Sequence, residues 1–167
     1  MTSSFFVLNL GQFLHDASQL SEAEFVTAHP DPCLLVEPFV AEEEAHLVTA
    51  MAEQGDGSVP FVVSIRSRQS QAHGYGGDRI TLGRTGNNDV VIKSSDISKI
   101  HGFFVREQDK MSYVDAHSTY GSKVAGLEAR PGQTFPLQDG TRLTLASIRA
   151  TYFTPRGLYV HLNTLAD

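Results

Sequence analysis

The sequence predicts a mainly β protein, an antiparallel sandwich of about ten to eleven strands preceded by a short helical N-terminal segment. Three observations predict it. From Phe61 onward apolar residues recur at period two over short stretches, turn-forming clusters separate those stretches, and helical spacing is concentrated in the residues before them.

In chain order, Phe6, Leu10, Phe13, Leu14, Ala17 and Leu20 fall on one helical face, with Thr2, Ser3 or Ser4 available as a cap. Ser21-Glu22-Ala23-Glu24 has the form of a capping box opening a second short helix, which His29-Pro30 should end because the residue before proline is pushed out of the helical region. The apolar run Cys33 to Val36 is too short to assign. Glu42, Glu43 and Glu44 followed by Ala45, Val48, Met51 and Ala52 suit a third helix whose acids complement its positive N-terminus. Such short helices cannot build a core alone, so they should dock on the second half or offer an apolar face to a partner.

Gln54-Gly55-Asp56-Gly57-Ser58 is the candidate linker, giving an acidic, mostly helical segment 1–58 and a β-sandwich domain 59–167. Within the second part, Phe61 to Arg66, Arg79 to Leu82, Asp89 to Ile92, His101 to Glu107, Met111 to Asp115, Ser122 to Leu127, Thr134 to Leu137, Arg142 to Ile148, Ala150 to Phe153 and Leu158 to Leu162 read as strands. Turns fall at Gly86-Asn87-Asn88, Gln108-Asp109-Lys110, Pro131-Gly132, Asp139-Gly140 and Pro155-Arg156-Gly157.

At 167 residues, 41% hydrophobic and 19% charged, the chain is long enough for one ordinary core. A single cysteine, Cys33, excludes an internal disulfide framework and a multi-thiolate metal site, and its apolar neighbours read as core. The seven histidines show no ligand spacing, so no metal or cofactor is expected. No apolar run reaches the roughly 20 residues that cross a bilayer, and no basic n-region marks a signal peptide, so the chain is read as cytoplasmic without membrane insertion. The net charge of -6 hides a division: ten acids and no Lys or Arg up to residue 58, then all 13 Lys and Arg against nine acids. That mild positive excess, without interleaved aromatics, does not support a nucleic-acid partner.

The residues that carry chemistry form an ordered series: Ile80-Thr81-Leu82-Gly83-Arg84, Asn88-Asp89-Val90-Val91-Ile92, Ser98-Lys99-Ile100-His101, Asp115-Ala116-His117-Ser118-Thr119-Tyr120-Gly121, Val124-Ala125-Gly126 and Leu137-Gln138-Asp139-Gly140. A guanidinium and hydroxyls on two separate turns are what a shallow site needs to hold a phosphate monoester. The series contains no activated nucleophile, no paired carboxylates of metal-ligand pattern and no nucleotide-binding glycine loop, so no enzyme activity is expected. Arg84 could alternatively pair on the surface with Asp89 or Asp96, and Ser98 could be only a turn hydroxyl.

With its order and spacing, the series resembles the forkhead-associated (FHA) family of phosphothreonine-peptide-binding domains over roughly Val62 to Leu162. The resemblance implies two twisted antiparallel sheets with a ligand site made by loops at one end. It implies that Arg84 and Ser98 bind the phosphate, that Thr119 adds a contact, and that Lys99 stands where the family usually has a basic residue. His101 would support the binding loops by hydrogen bonding, Gly83 would allow close backbone approach, and Gly121 would make the tight turn after the second loop. Lys123 and Tyr120 are possible accessory contacts. Tyr120-Gly121 stands where the family usually has Asn-Gly, and Ala125-Gly126 where a second Asn-Gly is common. The tyrosine hydroxyl donates at a different reach from an asparagine amide. The expected function is a phosphothreonine-peptide-binding interaction module in Ser/Thr kinase signalling, with a phosphorylated protein as partner. The alternative is a phospho-independent scaffold or assembly protein with a degenerate FHA site.

Overall fold

The computed structural model describes residues 7–39, 59–68 and 79–165. Two sheets face each other. One has seven strands in the order β1 (Val7–Asn9), β3 (Phe61–Ser64), β2 (Cys33–Val36), β12 (Ile148–Phe153), β11 (Arg142–Leu145), β8 (Ser122–Val124) and β9 (Leu127–Glu128). The other has five, in the order β10 (Thr134–Leu137), β7 (Lys110–Asp115), β6 (Gly102–Glu107), β4 (Arg79–Gly83) and β5 (Val90–Val91). Neighbours are antiparallel except β4 and β5, which run parallel with Leu82 opposite Val90. Helices α1 (Leu10–Gln19), α2 (Glu22–Ala28) and α3 (Pro155–Leu165) complete the described elements.

Two cores explain the apolar pattern. Between the sheets, Leu34, Val63, Leu82, Phe104, Tyr113, Leu143, Leu145 and Ile148 pack in one cluster. On the far side of the seven-stranded sheet, Phe13 and Ala17 of α1, Phe25 of α2, and Leu158 and Leu162 of α3 meet Cys33, Val62 and Phe153. Strands β2 and β3 are thus buried on both faces, which is why Cys33 to Val36 and Phe61 to Val63 are apolar without alternation. Phe25 is fully buried, and an aromatic of that kind truncated to alanine costs about 3–5 kcal/mol.

The capping box forms as its sequence suggests. Ser21 Oγ accepts from Glu24 N–H at 3.3 Å, Glu24 Oε2 accepts from Ser21 N–H at 2.9 Å, and α2 stops at His29. His29 Nε2 lies 2.8 Å from Asp16 Oδ2 and ties α2 to α1. That hydrogen bond holds the Asp16 carboxyl below its ordinary value.

Three readings need correction. Leu158 to Leu162 is not a strand but the middle of α3. Thr154 Oγ1 accepts from Gly157 N–H at 3.1 Å and Pro155 occupies the first helical position, where its missing N–H and fixed φ cost nothing. Leu158 and Leu162 then face the second core one turn apart, while Val160 points to solvent. Cys33 to Val36, left unassigned, is a strand in the middle of the larger sheet. Strand β1 precedes α1, so this helix begins at Leu10. The sheet therefore draws strands from both sides of the expected junction near residue 58; that junction and the expected third helix lie outside the described residues.

Candidate functional site

The expected site residues gather where β4, β7 and β8 end or begin. β4 delivers Gly83 and Arg84, and the chain returns through Ser98 and Lys99 into β6. Arg84 N–H donates to Ser98 O at 3.0 Å, which ties the first turn to the second. Gly83 sits where a Cβ would run into the Lys99 carbonyl and the Asn88 amide, so only glycine lets these segments approach so closely. Asn88 Nδ2 donates to Lys99 O at 2.7 Å and to Thr85 O at 2.9 Å, bracing the same junction from its other side.

The third segment joins through Ser98. Thr119 N–H donates to Ser98 Oγ at 2.9 Å, and the Ser98 hydroxyl lies 3.4 Å from Thr119 Oγ1. Gly121 has φ +80°, a left-handed conformation that glycine adopts without strain, and the chain then enters β8.

His101 is fully buried behind these turns. Its Nδ1 accepts from Ser98 N–H at 3.2 Å, which leaves the ring proton on Nε2, 3.1 Å from both Gly121 O and Ser122 Oγ. Burial holds the imidazole below its ordinary value, outweighing the opposite pull of Asp115 and of the Gly121 carbonyl. Behind it, Asp115 accepts from Ser118 Oγ and Ser122 Oγ, both at 2.6 Å, and Tyr113 Oη lies 2.9 Å from Ser122 Oγ. The phenol of Tyr113 is raised by its burial and stays protonated.

Sequence reasoning missed this supporting set of Tyr113, Asp115, Ser118 and Ser122. For Tyr113, Asp115 and Ser122 the sequence signal is a polar side chain at a buried strand position, as with Ser122 before Val124 in β8, while Ser118 lies in the loop between β7 and β8. It also missed Arg68, whose main-chain N–H donates to Asp89 Oδ1 at 2.8 Å and whose guanidinium reaches the carbonyl of Gly86 at 3.2 Å.

The surface alternatives for Arg84 find no support in this geometry. Asp89 accepts from Arg68 N–H and Thr81 N–H, and Asp96 accepts from Ser147 Oγ. Arg84 is half-buried and its guanidinium makes no hydrogen bond or ion pair among the described residues. Lys99, Thr119 and Lys123 are exposed, and Tyr120 is 69% exposed. Lys123 lies in β8 opposite Glu128.

Residues 80–146 match the FHA domain family model. Over those residues the chain is similar to the FHA family. Its fold agrees with that of solved FHA domains. The N-terminal FHA domain of Rad53p from S. cerevisiae, determined in complex with a phosphothreonine peptide, is 16% identical with a TM-score of 0.50, covering 74% of this chain and 93% of that one. An FHA domain of an Arabidopsis thaliana hypothetical protein is 17% identical with a TM-score of 0.50, covering 74% and 85%. At these identities the likeness is one of fold. No curated protein matches the chain.

The FHA match begins at Ile80 and ends at Ala146, so β1 to β3, α1 to α3 and β12 lie wholly outside it. Among the described residues no cluster of His, Cys, Asp and Glu could hold a metal ion, and no helix is long and apolar enough to cross a membrane.

Proposed function

We propose that this chain binds phosphothreonine-containing peptides at the end of the sandwich, as a non-enzymatic interaction module in Ser/Thr kinase signalling in the cytoplasm. The observation that carries the reading is the Arg84–Ser98–Thr119 junction. Arg84, whose guanidinium has no partner among the described residues, is bonded through its main-chain N–H to the carbonyl of Ser98, whose hydroxyl the Thr119 N–H already orients. Arg84 supplies the charge and the fork of donors, while Ser98 and Thr119 add hydroxyl contacts to a dianionic phosphate. Charge-assisted bonds of about 1.5–3 kcal/mol each, two or three in number, account for micromolar affinity of roughly -8 kcal/mol. Gly83, His101 and Gly121 position the loops, and Lys99 adds positive potential nearby.

Calorimetric titration with one threonine peptide in phosphorylated and unphosphorylated form tests this. The phosphorylated form should bind at least tenfold tighter, and Arg84→Ala should remove roughly 2 kcal/mol or more. Equal affinity for the two forms, or no effect of Arg84→Ala, overturns the proposal.

One observation favours a second reading, a phospho-independent scaffold. Tyr120 presents a ring that is 69% exposed on the loop beside Thr119, an apolar contact that needs no phosphate. Partner capture that survives phosphatase treatment and Arg84→Ala but is lost in Tyr120→Ala would support it.

A further inference from the structure

We propose that this chain carries a second binding site, for a free α-amino acid with an apolar side chain, in the cleft where the helical layer meets the larger sheet. The proposal goes beyond the phosphothreonine reading and uses none of its residues.

Strand register builds the cleft. Cys33 lies opposite Ser64 at the end of the β2 and β3 ladder, and Ile65 N–H donates to Pro32 O at 2.7 Å, so the antiparallel pairing continues through Pro32 and sets Asp31 opposite Arg66. Side chains alternate between the two faces of a strand. Leu34 and Val63 enter the core between the sheets, and Cys33 and Val62 the core beneath the helices, so Asp31, Cys33, Ser64 and Arg66 share the helical face. The helices bury Cys33 but leave Asp31 half-buried and Arg66 exposed. What remains is a cleft of about 200 Å³ with Phe13, Cys33 and Leu158 as its apolar floor and Ala28 and Pro155 on its walls.

The cleft is remote from the phosphate junction. Ala146 N–H, just before β12, donates to Gly121 O, whereas the cleft adjoins the other end of β12, where Phe153 pairs with Cys33. Five residue intervals along β12, from Ile148 to Phe153, separate the two ends by about 16 Å.

The polar groups of the cleft are complementary to a zwitterion. Among the described residues the Asp31 carboxylate and the Ser64 hydroxyl make no hydrogen bond or ion pair, so Asp31 can take an ammonium group. Arg66 has an interaction of its own, and its five N–H donors leave capacity for a ligand carboxylate. Residues directly opposite in an antiparallel pair have Cβ atoms about 4.5–5.5 Å apart, so an ammonium and a carboxylate borne on one carbon reach both. The other charges nearby are engaged: His29 lies 2.8 Å from Asp16, Arg156 lies 3.1 Å from Glu22, and Asp139 accepts from Thr154 N–H at 2.6 Å. An amine alone is repelled by Arg66 and an acid alone by Asp31. The opposed pair therefore selects a ligand that carries both charges. Size selects its side chain. An apolar cavity of about 150 Å³ takes up benzene, so this cleft accommodates a phenyl or isobutyl group.

The test titrates the isotope-labelled full chain with L-phenylalanine and with L-leucine, followed by heteronuclear NMR, so that amide shifts report both affinity and place. Glycine, which lacks the side chain, phenylalaninamide, which lacks the carboxylate, and hydrocinnamate, which lacks the ammonium, are the controls. At least one of the two amino acids should bind saturably, with shifts at His29, Cys33 and Ser64 and none at Ser98 or Thr119. Each control should bind about tenfold weaker or worse. Asp31→Asn should weaken the amino acid about five- to tenfold without lowering the melting temperature of the free protein, because its carboxylate has no partner to lose among the described residues. Ala28→Trp, at an exposed position on the wall, should fill the cleft and abolish binding. Absence of saturable binding by either amino acid up to about 10 mM overturns the proposal. So do shifts confined to other places, a control that binds as tightly as the amino acid, or full affinity in a folded Asp31→Asn.

Discussion

Replacing His101 with alanine removes a fully buried side chain that touches both halves of the ligand end. Its Nδ1 is the acceptor for Ser98 N–H, and its Nε2–H serves Gly121 O and Ser122 Oγ. Alanine leaves one main-chain group, Ser98 N–H, without a protein partner, because Gly121 O still accepts from Ala146 N–H at 2.9 Å. That unpaired group costs about 1–3 kcal/mol, toward the lower end here because water reaches the half-exposed Ser98. The void left by a fully buried imidazole adds about 1 kcal/mol. The sum is about 2–3 kcal/mol, a sizeable part of the 5–15 kcal/mol typical of a domain. Urea denaturation measures the loss, and hydrogen exchange at the Ser98 and Thr119 amides locates it. Faster exchange should be concentrated at these two amides, with the strands of the second core unaffected. A loss below about 1 kcal/mol, or unchanged exchange at Ser98, would refute the account of His101 as the brace of the site.

Acid should act through the same residue. The folded-state pKa of His101 lies below the ordinary 6.5, so the unfolded chain takes up the proton first. The stability contributed by neutral His101 is present above pH 6.5 and is lost as pH falls from 6.5 toward the folded-state value. Urea midpoints of wild type and His101→Gln at pH about 7.5 and about 5.5 isolate this contribution, and parallel changes in both proteins would exclude it. Stability is the right readout because phosphate itself titrates near pH 6. Gly83→Ala should cost about 1–3 kcal/mol and weaken phosphopeptide binding, since the new methyl displaces the Lys99 carbonyl beside Ser98; a melting curve and titration like wild type would contradict this. Ala125 and Gly126, with φ +51° and +81°, make the two-residue turn between Val124 and Leu127, and alanine is poorly suited to the left-handed region. Ala125→Asn should therefore stabilise by about 0.5–1 kcal/mol in chemical denaturation. Burial pushes the Cys33 thiol up to about 12, so alkylation should be very slow in the native protein and fast in denaturant.

How much was legible in the chain depended on whether the deciding interaction was local. The capping box at Ser21, the stop at His29 and most strands from Arg79 to Phe153 are set by neighbours in sequence and agree with their reading, whereas Ser122 to Leu127, read as one strand, is the hairpin of β8 and β9 that turns at Ala125-Gly126. Leu158 to Leu162 was misread because a short apolar run fits either period and Pro155-Arg156-Gly157 looks like a turn. The local signal was available in Thr154 as cap and Pro155 in first position. Cys33 to Val36 had no decisive local signal. A strand buried on both faces does not alternate, and its second face is covered by helices distant in sequence.

The same division runs through the candidate site. By itself the sequence determined which groups can meet an anion, because a guanidinium and two hydroxyls carry their chemistry wherever the chain puts them. The tertiary structure alone decided which acids were left for Arg84. Asp89 and Asp96 are close in sequence, yet Arg68, Thr81 and Ser147 engage them. It also decided that Ser98 and Thr119, 21 residues apart, share a hydrogen bond. Such relations depend on strand order and on which buried polar groups find partners, and those are fixed only when both sheets close around a common core.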